Sequence, residues 1–66
     1  MEEKITAWVA RDEEGGLYLY KCQPNKAEGF WTDFGVSMPI DIFLFPQVKW
    51  EDEEPTKVEL TIKIYE

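Results

Sequence analysis

From Lys4 to Arg11 the chain reads KITAWVAR, β-branched and aromatic residues mixed with small ones, and after DEEGG a second such run, LYLYKC, begins at Leu17. Two runs separated by a short loop that ends in Gly15 and Gly16 predict a β-hairpin, because glycine supplies the left-handed backbone such a loop needs. Successive side chains point to opposite faces. A loop that sets Arg11 opposite Leu17 therefore also sets Ala10 against Tyr18, Val9 against Leu19 and Trp8 against Tyr20. One face then carries Ile5, Ala7, Val9, Leu17 and Leu19, and the other carries Trp8, Tyr18, Tyr20 and Cys22. Both faces are largely apolar, so each requires a cover or a partner.

Farther along, QPNKAEG (23–29) reads as a loop and FWTDF (30–34) as a short third strand ended by Gly35. In SMPIDIFLFP (37–46), Pro39 suits a first helical position and Ile40, Phe43 and Leu44 fall at helical spacing, while Pro46 disfavours helix at Phe45. This predicts one short helical turn near 39–45 held down by Ile40, Phe43 and Phe45, with an irregular connection as the alternative. Gln47 to Trp50 reads as a fourth strand, Glu51 to Pro55 as an acidic turn, and Thr56 to Tyr65 as the longest strand. There Val58, Leu60, Ile62 and Ile64 alternate with Lys57, Glu59, Thr61 and Lys63, the pattern of an antiparallel strand with one face on a core and one in water. Lys57 and Lys63 would discourage edge-to-edge pairing if this strand lies at an edge. The order predicts a mainly β fold in a single domain, residues 1–66: a curled antiparallel sheet or small open barrel of about five strands with one helical turn. An α+β sheet with one packed helix is the alternative.

Composition supports a folded domain, since 44% of the 66 residues are hydrophobic. A chain this short must commit most of its large side chains to its core. Fourteen acidic against seven basic residues give a net charge of −7, which works against the counterion release that drives nucleic-acid binding and against anionic membranes. Basic protein patches are the partners such a field attracts. Residues 1–4 lack the apolar region of a secretory signal, and the longest apolar run, Ile42 to Phe45, is too short for a membrane span. A cytoplasmic location is expected. Cys22 is the only cysteine; it forms no internal disulfide and is expected to be a buried structural thiol.

With no histidine, Ser-His and Cys-His nucleophile pairs are absent. Ser37 lacks the glycine frame of a nucleophile elbow, and Gly15-Gly16 follows acids that would repel a phosphate. Zinc would need Cys or His clusters, and neither Asp12-Glu13-Glu14 nor Glu51-Asp52-Glu53-Glu54 has EF-hand spacing. No catalytic residue, cofactor or metal is expected. A hydrolase built on two Asp or Glu carboxylates is the remote alternative and would need them fixed in a pocket. The richest constellation is aromatic. Trp8, Tyr18 and Tyr20 share a face and Trp31 and Trp50 could lie close by, either as covered core or as a platform for a partner, a small ligand or a single nucleic-acid strand. If the two acidic turns emerge at one end of the sheet, Asp12, Glu13, Glu14, Glu51, Asp52, Glu53 and Glu54 would form one negative pole able to imitate a nucleic-acid backbone.

The run Trp8-Val9-Ala10-Arg11-Asp12 through Gly16 into Leu17-Tyr18-Leu19-Tyr20 carries a resemblance, together with Phe45-Pro46-Gln47-Val48-Lys49-Trp50-Glu51-Asp52, Pro55 and Val58-Glu59-Leu60. In these pieces, about half of the chain, it resembles a family of short proteins encoded in prophage and mobile-element gene clusters of gut bacteria. The resemblance implies a bacterial or phage cytoplasmic setting and no functional residues. The residues themselves point to a small acidic, non-catalytic module that binds a protein with a basic patch, with the aromatic-platform module as the alternative. A homodimer through the aromatic face or a strand edge is open.

Overall fold

The computed structural model describes residues 2–33, 35 and 37–63. Strands β1 (Glu2–Arg11) and β2 (Leu17–Tyr20) form the hairpin in the register set by parity, from Arg11 opposite Leu17 to Trp8 opposite Tyr20. A short ribbon, β3 (Asn25–Lys26) and β4 (Trp31–Thr32), follows, then β5 (Ser37–Ile40) beside β2 and β6 (Thr56–Lys63) beside β1. The main sheet is antiparallel in the order β5-β2-β1-β6, and the fold is mainly β, without a helix or a closed barrel among the described residues.

Each face of the main sheet has its own core. On one, Val9 and Leu17 are closed over by Val48, with Leu19, Ile40, Phe45 and Val58 packed around them. On the other, Ala10 and Tyr20 are covered by Trp31 of the ribbon, with Trp8, Tyr18 and Trp50 at its margins. Chain length explains this economy: a 66-residue chain cannot fill two layers throughout, so each face is sealed only where a plug reaches it. Beyond the plugs β1 and β6 run on as a two-stranded arm, paired from Thr6–Glu59 to Glu2–Lys63 with both surfaces largely exposed. The arm draws the molecule out to 43 × 25 × 16 Å.

Several local expectations are corrected. Residues 37–40 form edge strand β5, so the helical turn expected near 39–45 is not formed, and among the described residues there is no helix to make the α+β alternative. The position beside β2 needed a strand, and at an edge the missing N–H of Pro39 is tolerated. Gln47 to Trp50 is turn and irregular backbone, because Val48 must point into the core as a plug. Asn25 and Lys26, inside the expected loop, pair with Thr32 and Trp31. Of the three side chains expected to anchor 39–45, Ile40 and Phe45 pack on the core but Phe43 is 84% exposed. Cys22 is exposed, since β2 ends at Tyr20 and the chain bends away before the thiol can enter a face. The last two positions expected in the final strand, Ile64 and Tyr65, lie outside the described residues, as do Phe34 and Val36.

Candidate functional site

The hairpin turn 12–16 leaves the sheet where β1 ends, and β6 enters it opposite Val9, so the turn 51–55 emerges at that same end. Asp41, which follows Ile40 opposite Leu17, joins them. The seven predicted acids thus share one end, in two roles. Asp12 and Asp52 are half-buried and hold backbone: Asp12 Oδ1 accepts the Trp31 N–H at 3.1 Å, and Asp52 Oδ2 accepts the Lys49 N–H at 3.1 Å. Glu13, Glu14, Glu51, Glu53 and Glu54 are exposed.

At the same end stands the knuckle Ile42-Phe43-Leu44, exposed by 53%, 84% and 48%. Apolar side chains are not what holds it. Arg11, on the same face of β1 as Val9, donates from Nε to the Val48 carbonyl at 2.7 Å and from its terminal nitrogens to the carbonyls of Ile42 (3.1 Å), Leu44 (3.2 Å), Phe45 (3.3 Å) and Gly15 (3.0 Å). Asp41 accepts the Phe43 N–H at 2.9 Å, closing an Asx turn. Phe45 takes a φ of 48°, a left-handed conformation costly for a bulky residue and sustained by its ring packing on the core. One guanidinium fork thereby holds the loop by its backbone, with Phe43 mostly in water and Ile42 and Leu44 about half exposed. Parity places Arg11 on an apolar face, where its five N–H donors require acceptors; this was the signal for the clamp in the sequence.

The aromatic group is assembled on the opposite face. Tyr20 and Trp31 are buried at 3% and 6% exposure, while Trp8 and Tyr18 are half-buried. Trp31 Nε1 donates to the Arg11 carbonyl at 3.0 Å, and its ring meets Trp50 edge-on at 6.4 Å. Lys26 stands over this pair, its Nζ 4.1 Å from the Trp50 ring centre and 5.5 Å from that of Trp31, and bonds to the carbonyls of Trp50 and Asp52. The Tyr20 hydroxyl donates a long bond to the Trp31 carbonyl at 3.4 Å. Burial, then Asp12, Asp33 and Tyr18, push the Tyr20 phenol up to about 12. Among the predicted ring residues, Tyr20 and Trp31 belong to a core, while Trp8 and Tyr18 are partly open to solvent.

A third feature lies on the first face, beyond the Val48 plug. Ile5, Ala7, Leu19, Lys21, Met38 and Leu60 line an open trough of about 250 Å³, apolar apart from Lys21. Among the described residues no set of three or more His, Cys, Asp or Glu side chains is placed to hold a metal ion, and no helix is long and apolar enough to cross a membrane. Compared with family models, curated proteins and solved structures, the chain finds no match.

Proposed function

We propose that this chain is a non-catalytic protein-binding module that docks through its acidic end, with Phe43 as the anchor. The partner surface this fits is an apolar cup rimmed by lysine and arginine. The observation that carries the reading is the exposure of Phe43 on a loop whose backbone is already immobilised by Arg11. Binding is weakened by the cost of ordering loops, and an aromatic side chain carried on a backbone that is already held avoids the loop's share of it. Glu13, Glu14, Glu51, Glu53 and Glu54, exposed on turns at the same end of the sheet, add charge that speeds encounter with a basic surface and disfavours acidic ones. The same field supports a protein, rather than a nucleic acid, as the ligand.

The aromatic-platform alternative has less behind it, because two of its four rings, Tyr20 and Trp31, are buried. To test the main reading, the tagged protein is used to capture partners from a lysate of the organism that encodes it, alongside Phe43→Ala and a Glu51→Lys/Glu53→Lys/Glu54→Lys variant. A true partner is lost with Phe43→Ala, weakened by the charge reversal and weakened by added salt. A partner retained by both variants overturns the proposal.

A further inference from the structure

We infer that two copies of this chain associate through β6, antiparallel and about a two-fold axis at Thr61, extending the main sheet across both molecules. Among the described residues β6 pairs only with β1, so its outer edge presents unpaired backbone groups from Thr56 to Lys63. The same strand carries Val58, Leu60 and Ile62 on the face of the trough, and Ile62 is 47% exposed on the projecting arm.

Charge selects the register. Centring the pair on Leu60 sets Lys57 against Lys63 of the second copy, and centring it on Glu59 sets that carboxylate against itself; both are disfavoured. Centring on Thr61 sets Glu59 against Lys63 of the second copy, twice by symmetry, and Leu60 against Ile62 on the other face. A Val58-centred pair also matches charges, Lys57 with Glu59, but leaves Ile62 bare and slides the two acidic turns toward each other. The Thr61 register covers Ile62 and keeps those turns far apart, because each acidic end lies at the Thr56 end of its own β6 and antiparallel pairing points the two ends away from one another. The lysines that discourage indiscriminate edge pairing thus act as a filter that leaves one pairing open.

The experiment is sedimentation of the full chain over a concentration series, with variants on the wet side of β6 that leave the core untouched. The native protein is expected to dimerise. Glu59→Lys should weaken association roughly tenfold, and the double variant Glu59→Lys/Lys63→Glu should recover it. In a Cys22→Ser background, Thr61→Cys should form an intermolecular disulfide on mild oxidation, and a mixture of Glu59→Cys and Lys63→Cys chains should cross-link as a heterodimer. A native chain that stays monomeric at every concentration overturns the inference. So does a dimer indifferent to the charge variants, or one cross-linked by Lys57→Cys with Glu59→Cys but not at Thr61.

Discussion

The Arg11 side chain reaches the Val48 carbonyl, 37 positions along the chain, with an Nε–O distance of 2.7 Å. That bond joins the end of the first strand to the plug over its core, and the remaining guanidinium donors tie down the loop between. The clamp dictates what replacement should do. Lysine keeps the charge but offers a single nitrogen where a planar fork bridges several carbonyls. Arg11→Lys should cost about 2 kcal/mol of stability and Arg11→Met about 3 kcal/mol, because carbonyls are left without donors. Denaturant unfolding measures both. Amide exchange at Val48 and Leu44 should accelerate in either variant, since their N–H groups bond within the clamped loop to Phe45 and Asp41.

Tyr20 makes the fold sensitive to alkali. Its phenol titrates near the ordinary 10.0 when the chain is unfolded and at about 12 when folded, chiefly because burial penalises the phenolate. Between those values the unfolded chain holds fewer protons than the folded one, so stability declines as pH rises through this window and is fully present below it. Tyrosinate absorbance should show Tyr20 titrating late. Tyr20→Phe should remove that late titration while altering stability near neutrality by less than about 1 kcal/mol, because the hydroxyl's bond to the Trp31 carbonyl is long.

Lys26 is exposed, yet its ammonium caps two carbonyls and faces two indoles. Lys26→Met preserves the aliphatic stem and removes the cation. A loss of about 1 kcal/mol is expected, together with a change in tryptophan emission as the cover over Trp50 loosens.

Gly15 separates conformation from space. Its φ is 97°, and a Cβ built there meets nothing within 4 Å. Gly15→Ala should therefore destabilise by about 1 to 2 kcal/mol through backbone strain alone. Equilibrium unfolding of that variant beside Gly29→Ala, at a φ of 82° and in equally open space, should give similar losses.

The hairpin register was readable because parity and one loop length leave few choices, and Trp8–Tyr20 to Arg11–Leu17 followed without knowledge of the rest. The alternation in Thr56–Lys63 was equally plain. Pro39 locally favours a helix start and so points to a turn near 39–45, while the vacant place beside β2 makes residues 37–40 a strand. A two-residue strand such as Asn25–Lys26 has no period to detect. The gathering of both acidic turns at one end depends on β6 lying beside β1, a long-range pairing that one sequence does not specify. Hydrophobicity and spacing point Phe43 inward, and neither registers that a distant guanidinium holds the loop instead.

Because the knuckle is restrained through carbonyl oxygens, which every amino acid possesses, the identities of Ile42, Phe43 and Leu44 are decoupled from the architecture that displays them. If the knuckle docks a partner as proposed, those three positions form a cassette: exchanging their side chains redirects the molecule while the clamped backbone beneath them is kept.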